Sequence, residues 1–336
     1  MRIEAIEDGL RVLAPAKLNL YLEVGPRRAD GFHEIDSIFQ SVTLFDELEV
    51  RSSSDEAIVL EEEGVSCGDD NLVARAARRL SALSGARRGV RMRLRKRIPQ
   101  GAGLGGGSSD AAAALVALAR LWELRLADAE LAAVAAELGS DVPFFLHGGT
   151  AICRGRGELV TPLEGLFEPD RPPCYVLVYP RREVSTSLVY NALDASRPPG
   201  FALTATELLD SMGRGSVRRQ LASRMASGEL FFNRLENVVT ALFPDLDRVR
   251  TSLRAEPFVS VSMSGSGSTF FGVCREAADA DRIAASLAER LEADVFSVRA
   301  ETPATEQRAG TRRAPAEARR AERVTSIDED TEGEDP

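Results

Sequence analysis

The chain has 336 residues, of which 44% are hydrophobic and 28% are charged, as in an ordinary soluble globular protein. Its formal net charge of -10 argues against a nucleic-acid backbone as the main partner, and no stretch is long and apolar enough to span a membrane. The length suggests two domains. The first residues lack the apolar core of a signal peptide, so we expect a cytoplasmic protein.

The cysteines are far apart and form no CxxC pair, so both a zinc site and a disulfide framework are poorly supported. Reduced, buried thiols are the favoured interpretation. The four residues are Cys67, Cys153, Cys174 and Cys274.

The first half of the chain reads as strands followed by helices. Between residues 89 and 99, Val90, Met92 and Leu94 alternate with arginines, which predicts a strand with one buried and one solvated face. Apolar runs and helical spacing predict the other elements, which are strands at 10–25 and 32–51, a helix beginning at Asp70 or Asn71, and helices at 108–124 and 127–139.

The second half mixes strands with helices, and the whole pattern predicts an α+β fold. Strands are expected at 174–180, 258–263, 268–274 and 293–300, and helices at 204–212, 236–253 and 276–291. A proline-rich segment places a domain boundary near 160–172. From Glu301 onward the chain lacks Leu, Phe, Tyr, Trp and Met, which predicts a disordered tail. The predicted units are 1–165, 166–300 and the tail 301–336.

A glycine-rich loop separates the arginine-containing strand from the helix at 108–124. Residues 101–106 formally fit GxGxxG, but the strand before them is not a continuous apolar run and Pro99 intervenes, so the dinucleotide interpretation is weak. The loop also lacks the lysine of GxxxxGK[ST]. A flexible glycine linker is the remaining alternative.

Physical chemistry favours an anion site in this loop. Glycines let successive N–H groups point into one concavity, and the start of the following helix attracts negative charge. The hydroxyl groups of Ser108 and Ser109 could reach a phosphate or a bound Mg²⁺. The pattern therefore predicts a triphosphate site formed by Pro99, Gly101, Ala102, Gly103, Leu104, Gly105, Gly106, Gly107, Ser108 and Ser109.

Three segments together resemble the motifs of the GHMP kinases, which include galactokinase, homoserine kinase and mevalonate kinase. "PQGAGLGGGSSDAAAAL" resembles their phosphate loop, "APAKLNLYLEV" their N-terminal motif and "SMSGSGSTFFGVC" their C-terminal glycine motif. "RRADGFHEIDSIFQSV", "GSDVPFFLHGGTAICRGRGE" and "FFNRLENVV" narrow the resemblance to the branch that phosphorylates 4-diphosphocytidyl-2-C-methyl-D-erythritol, in the non-mevalonate isoprenoid route. The resemblance covers about residues 10 to 300.

This resemblance implies two α+β domains with the active site in the cleft between them. It further implies ATP with Mg²⁺ as the phosphoryl donor and, as acceptor, a small molecule with a cytidine diphosphate head. By resemblance, Asp141 accepts the proton of the acceptor hydroxyl, and Lys17 keeps Asp141 ionised and polarises the same hydroxyl. The alternatives are a helix start for Asp141 and a surface strand position for Lys17. Lys96 and Asn71 fit positions near the adenine.

The resemblance also assigns the acceptor site. Phe32 would stack on the cytosine, and His33 would hydrogen-bond its polar edge. Tyr190, with Thr186 nearby, is the candidate for the other face of the base. Asn19 fits the position that contacts the erythritol part.

Three further functions remain open at this point. A GHMP kinase for homoserine, mevalonate or a sugar is one, although "ADGFHE" and "GSDVPFF" count against it. A nucleotide-binding regulator without catalysis is another, and the presence of both Lys17 and Asp141 argues against it. An oxidoreductase built on GxGxxG is the weakest. His147 is interpreted as structural.

Overall fold

The structure, a computed structural model, describes residues 1–63, 70–85, 88–163, 165–167, 171–197 and 217–301. All of them belong to one compact unit, Met1–Pro303. Cys67, the predicted helix at 204–212 and the predicted tail after Glu301 lie outside the described residues. Among the helices that the structure does describe, none has the length and apolar character needed to cross a lipid bilayer.

Strands and helices alternate irregularly along the described chain. In chain order the strands are β1 (Arg2–Ile6), β2 (Gly9–Arg27), β3 (His33–Ser53), β4 (Ile58–Glu63), β5 (Gly89–Arg95), β6 (Thr150–Gly155), β7 (Leu159–Pro162), β8 (Cys174–Tyr179), β9 (Phe232–Asn233), β10 (Ser260–Met263), β11 (Phe270–Cys274) and β12 (Asp294–Arg299). The helices are α1 (Leu72–Ser84), α2 (Gly106–Leu121), α3 (Asp128–Leu138), α4 (Val142–His147), α5 (Thr186–Ser196), α6 (Val217–Ser227), α7 (Glu236–Leu242), α8 (Pro244–Arg254) and α9 (Ala277–Arg290).

The larger sheet has the order β1-β2-β3-β5-β4, with β6 paired to β3 and β7, and β9 paired to β2. Its centre is the long antiparallel pair β2–β3, whose register runs from Gly9 opposite Arg51 to Arg27 opposite His33. Helix α2 packs on this pair and on α1. Its alanine run, residues 111–114, is fully buried, because small side chains let the helix lie close to the sheet.

The smaller sheet has the order β10-β11-β8-β12, and all its neighbouring strands are antiparallel. Every residue of β8 is buried, and α9 covers the sheet with Ile283 and Leu287. A shared apolar cluster connects the two sheets, since Leu18 and Ile38 of the larger one pack in the same core as Leu177 and Phe271 of the smaller one. This common core fixes the position of one sheet against the other.

Most of the predicted strands are confirmed, and so are the helices α1, α2, α3 and α9. The predicted helix at 236–253 is two helices, because Pro244 begins α8 at a position where its missing N–H is tolerated. Glu301, assigned to the tail from the sequence, is buried and paired with the N-terminal ammonium of Met1 at 3.1 Å. It therefore belongs to the folded unit. The domain boundary near 160–172 stays a prediction.

The glycine loop between β5 and α2 is held by contacts from both sheets. Its carbonyl at Leu104 accepts the N–H of Lys17 at 2.9 Å, from β2. From the other side, the Ser264 hydroxyl donates to the Gly103 carbonyl at 2.9 Å, and the Thr269 N–H donates to the Ala102 carbonyl at 3.2 Å. The loop is thus a joint between the two sheets as well as a concave surface.

Replacing Gly103 by alanine should destabilise the protein, whereas the same change at Gly107 should not. Gly103 has φ +77°, and an added Cβ would lie 2.1 Å from the Ser264 carbonyl oxygen, while at Gly107 the first neighbour is Leu72 Cδ1 at 3.8 Å. The left-handed backbone alone costs an L-residue about 1–2 kcal/mol, and the clash adds to this. Urea denaturation measures the free energy of unfolding of both variants. An equal loss of unfolding free energy in the two variants would contradict the role of the loop in connecting the two sheets.

Candidate functional site

Two cavities adjoin on the described surface and share part of their lining. We call the first the loop cavity, of about 390 Å³, because residues 99–108 form its floor, with Asn71 and Lys96 beside them. We call the second the hairpin cavity, of about 500 Å³, because the turn between β2 and β3 forms one end of it. The shared residues are Gly103, Gly105, Thr186 and Ser266.

The loop cavity is lined by bare backbone and by the start of a helix. Gly101 and Gly105 have positive φ, and Gly105 precedes α2 without any side-chain cap. The first helical hydrogen bond runs from the Ser109 N–H to the Gly105 carbonyl at 2.9 Å. The three N–H groups before it have no partner in the helix, so they suit an anion such as phosphate.

The two serines of the loop differ in location. Ser108 lines the loop cavity, together with the predicted residues from Pro99 to Gly107. Ser109 is fully buried and lines neither cavity, and its Oγ has no hydrogen-bond partner among the described residues. Successive positions of a helix point about 100° apart, so only one of the two hydroxyls can face a ligand here.

Lys96 and Asn71 line the loop cavity, but their polar groups are engaged by the protein. The Lys96 ammonium contacts the carboxylates of Asp46 and of Asp110, the latter at 2.5 Å. The Asn71 amide accepts the N–H of Val73 at 2.8 Å, as the N-cap of α1, and donates to a Glu62 carboxylate oxygen. Both residues are therefore walls of the cavity rather than free hydrogen-bonding groups.

Two buried carboxyl groups, those of Asp46 and Asp110, share the single ammonium group of Lys96. Asp46 accepts the N–H groups of Arg97 and Ile98 at 2.5 and 2.8 Å, which fixes the chain as it enters the loop. Burial and the neighbouring charge of Asp46 raise the pKa of Asp110 to about 8, and Lys96 opposes this. Neither acid was singled out from the sequence, where nothing marks Asp46.

Lys17 and Asp141 face each other in the hairpin cavity, next to the lining that both cavities share. The Lys17 ammonium lies 3.8 Å from Asp141 Oδ2 and 2.5 Å from Asn19 Oδ1, and the lysine side chain is only 4% exposed. Burial lowers the pKa of Lys17, and the negative charge of Asp141 opposes that shift. The surface-lysine alternative is therefore wrong.

The helix-start alternative for Asp141 is not supported either. Asp141 occupies the N-cap position of α4, yet its side chain makes no capping hydrogen bond and instead faces Lys17. Its side chain is 28% exposed, so one carboxylate can contact both the buried ammonium and a ligand.

Two glycines, one in the loop before α2 and one in the turn after β10, bring the backbone close to Lys17. A Cβ on Gly105 would lie 3.0 Å from Lys17 Cγ, and one on Gly265 would lie 3.3 Å from its Nζ. Asn19, two residues along β2 and on the same face, donates its amide to Ser37 Oγ at 3.0 Å. Asn19 thus holds the ammonium in place from the sheet side.

The far end of the hairpin cavity is aromatic. Phe32 is 48% exposed at the tip of the turn, whereas His33 is buried and lies 5.0 Å from the Tyr190 ring, centroid to centroid. His33 Nε2 lies 2.9 Å from a carboxylate oxygen of Asp194. This partner of His33 on α5 was missed from the sequence, because no spacing relates it to the turn.

The predicted acceptor residues do not all lie at this aromatic end. Thr186 and Tyr190 are one helical turn apart on α5 and both line the hairpin cavity. The Thr186 hydroxyl lies 2.9 Å from that of Ser266, at the lining shared with the loop cavity. Thr186 is therefore located where the two cavities meet. His147 lines neither cavity.

Within the described ranges, no three His, Cys, Asp or Glu side chains are grouped as a protein metal site would require. Cys153, Cys174 and Cys274 are free, buried thiols, as predicted. Arg156 also lines the hairpin cavity, with its guanidinium 5.0 Å from the centroid of the Phe32 ring. Its segment was recognised in the sequence, but the arginine itself was not.

Comparison with known proteins identifies the fold family. The model of the GHMP kinases N terminal domain matches residues 71–149, and that of the GHMP kinases C terminal region matches residues 208–293. These matches confirm the predicted α+β GHMP kinase fold.

Similar sequences and solved structures identify the family within the GHMP kinases. The chain is 41% identical to 4-diphosphocytidyl-2-C-methyl-D-erythritol kinase from Salinispora arenicola (strain CNS-205), over 84% of this chain and 89% of that protein. A crystal structure of 4-(cytidine 5'-diphospho)-2C-methyl-D-erythritol kinase matches with a TM-score of 0.69 and 39% identity, over 87% of this chain and 100% of that one. Homoserine kinase from Cytophaga hutchinsonii, at 20% identity and a TM-score of 0.67 over 89% and 97% of the two chains, shares the fold. The chain therefore belongs to the 4-diphosphocytidyl-2-C-methyl-D-erythritol kinase family of the GHMP kinases.

Proposed function

We propose that this chain transfers the γ-phosphoryl group of ATP to the 2-hydroxyl group of 4-diphosphocytidyl-2-C-methyl-D-erythritol, in the non-mevalonate route to isoprenoid precursors. The observation that carries the proposal is the position of Lys17 and Asp141 in the hairpin cavity, beside the lining that it shares with the loop cavity. A donor in one cavity and an acceptor in the other would meet there. The name of the Salinispora arenicola relative supports the same acceptor.

The loop cavity suits the triphosphate of the donor. The N–H groups at the start of α2 and the backbone of Gly101, Gly103 and Gly105 would surround the phosphates, and the Ser108 hydroxyl would donate to one of them. Phosphoryl transfer has a loose transition state, so holding the donor in line with the acceptor is most of the catalytic task.

Mg²⁺ fits this cavity as an ion that arrives bound to the triphosphate. Ser108 and Asp110 line the cavity with hard oxygen atoms, and the buried Oδ1 atom of Asp110 has no hydrogen-bond partner among the described residues. Because the pKa of Asp110 is raised to about 8, its carboxyl group would have to release its proton to hold the ion. When bound, the ion would neutralise charge that develops on the phosphate oxygens.

Asp141 would orient the acceptor hydroxyl and take its proton. Its carboxylate is partly exposed to the cavity, whereas Lys17 is buried behind it. The Lys17 ammonium would attract the Asp141 carboxylate and place a positive charge beside the oxygen that attacks. Asn19 would restrict the lysine to this position.

The aromatic end would bind cytosine. Phe32 and Tyr190 offer flat faces on which a base can stack. Because a carboxylate accepts hydrogen bonds, the His33 Nε2–H group would donate to Asp194, and Nδ1 is the ring nitrogen that remains for a polar group of the base. This end of the cavity distinguishes the proposed acceptor from homoserine, mevalonate or a free sugar.

A silent regulator and an oxidoreductase both fit the site less well. A catalytically silent regulator would have no need of the Lys17–Asp141 pair. The dinucleotide fingerprint requires a strand buried in an all-parallel sheet before the glycine loop. Strand β5 alternates between buried and exposed positions, and although it is parallel to β4 it is antiparallel to β3. The cytoplasmic location stays a prediction.

ADP formation with a panel of acceptor alcohols tests the proposal. We expect turnover with 4-diphosphocytidyl-2-C-methyl-D-erythritol, and much less with 2-C-methyl-D-erythritol, homoserine or mevalonate, because only the first fills the aromatic end. Product mass should increase by one phosphoryl group. Equal or greater turnover with an acceptor that lacks the cytidine head would overturn the assignment.

Asp141→Asn should lower kcat by about 10²–10⁴-fold, because the amide keeps the shape but cannot take the proton. ATP affinity, measured by calorimetry, should change little since the triphosphate contacts other residues. Lys17→Ala should also lower kcat, and the double variant should lose far less than the product of the single losses, because the two residues act as a unit. Asp281→Asn, an exposed acid outside both cavities, is the matched control. Near-normal turnover in Asp141→Asn would refute its role as a base.

The pH dependence of kcat should reveal the buried lysine. Burial lowers the pKa of Lys17 below its ordinary value of 10.5, so its positive charge is lost as pH rises through that lowered pKa. We therefore expect kcat to fall on the alkaline side at a lower pH than an exposed lysine would give. In Lys17→Arg, the residual activity should lose this alkaline limb, because a guanidinium stays charged. An unchanged limb in that variant would assign it to another group.

A further inference from the structure

We propose that Arg156 binds the diphosphate of the acceptor and so makes the enzyme prefer a cytidine diphosphate over cytidine itself. The inference rests on the proposed function, which supplies the chemistry of the acceptor. A diphosphate is strongly anionic, and binding it in a partly enclosed cavity requires a positive partner. In the described lining of the hairpin cavity, the lysine and arginine side chains are Lys17, Arg27 and Arg156.

Lys17 binds Asp141 and Asn19 at the reacting end of the cavity and is not available to the diphosphate. It is buried against Asp141 and Asn19, and the glycines at 105 and 265 approach it closely. A diphosphate at this position would displace the acceptor hydroxyl from Asp141. The diphosphate partner must therefore come from elsewhere in the cavity.

Arg156 lies between the two ends of the hairpin cavity. Its guanidinium lies 5.0 Å from the centroid of the Phe32 ring, at the base-binding end. Gly157, the next residue, is at the reacting end, since a Cβ there would lie 3.4 Å from both Asp141 Oδ1 and the Ser140 carbonyl oxygen. In the acceptor, the diphosphate likewise connects the erythritol, which carries the reacting hydroxyl, to the cytidine. The order Phe32, Arg156 and Asp141 along the cavity therefore matches the order cytosine, diphosphate and reacting hydroxyl along the acceptor.

The guanidinium of Arg156 is not bound by a carboxylate, although the more distant Asp30 carboxylate interacts with its charge. Its guanidinium donates to the Ala136 carbonyl at 2.7 Å and forms no ion pair with a carboxylate in the part of the chain that the structure describes. The neighbouring Glu158 uses its carboxylate on the backbone N–H of Arg156. By contrast, Arg154 on the same segment is paired with buried Asp36 at 3.4 Å. A guanidinium held by a carbonyl retains N–H groups for two phosphate oxygens.

Arg27 is the weaker candidate. It is exposed, and its Nε donates to the Gly31 carbonyl at 3.0 Å, at the outer side of the turn. Among the residues that the structure describes, no hydrogen bond or ion pair connects Arg27 to the reacting end. Arg27→Gln therefore serves as a comparison for a second cation at the same cavity.

Calorimetric titration with CDP and with cytidine tests the assignment. Arg156→Gln should weaken CDP binding about 10-fold, the lower end of what a charge-assisted hydrogen bond contributes, because the site is partly exposed to solvent. Cytidine binding should be unchanged, and Arg156→Lys should recover part of the loss. In kinetics, KM for the acceptor should rise while kcat and KM for ATP change little. Arg125→Gln, at an exposed position outside both cavities, is the control for loss of one arginine.

The two probes separate a direct role from a structural one. If Arg156 only supported the Phe32 ring, its loss would weaken CDP and cytidine by the same factor, as Phe32→Leu should do. Such an equal loss, or no loss at all, would overturn the assignment to the diphosphate, and so would a CDP-specific loss confined to Arg27→Gln. If the wild-type chain bound neither probe and did not phosphorylate the acceptor, the proposed function itself would fail.

Discussion

The site depends on one buried ammonium group. Taking the Lys17 charge out of water is costly unless hydrogen bonds and an opposite charge compensate for it. Asn19 supplies the hydrogen bond at 2.5 Å and Asp141 the opposite charge at 3.8 Å. The compensation works only if all three groups are held rigidly, because a shift of the carboxylate would leave a buried charge unpaired. Lys17 meets this requirement on β2, between two irregularities of the β2–β3 register, where its N–H donates to the Leu104 carbonyl.

Two glycine-rich segments make that burial possible. Gly105 precedes α2, and Gly265 follows β10 in the other sheet; a side chain on either would press against Lys17. The same bare backbone that admits the lysine also leaves N–H groups facing the loop cavity. Because each sheet contributes one segment, the geometry at the ammonium depends on how the sheets pack. The common apolar core, to which Leu18 and Leu177 belong, therefore sets the geometry around Lys17 together with the polar residues.

The three cationic side chains Lys96, Lys17 and Arg156 line the two cavities, and each has a different kind of partner. Lys96 is bound by two carboxylates, so it supports the entry to the glycine loop and is not available to a ligand. Lys17 is bound by one carboxylate that remains partly exposed, so the pair can act together on a hydroxyl. Arg156 is held by a carbonyl and forms no ion pair among the described residues, which suits an anionic part of a ligand. In a chain of net charge -10, a cation without a carboxylate partner favours an anionic ligand against the overall repulsion.

The sequence by itself determined the α+β class and most of the elements, and it predicted an anion site in the glycine loop and, through family resemblance, the Lys17–Asp141 pair. These follow from local properties: the spacing of apolar residues, the freedom of glycine backbone, and motifs that are contiguous in the chain. Only the tertiary structure decided which side chains are already engaged and which face a cavity. It showed that Ser109 points into the core, and that His33 is bound to Asp194 on α5. Such pairings join residues that are distant in sequence, and no local pattern encodes them, because the packing of one sheet against the other is what brings them within hydrogen-bond distance.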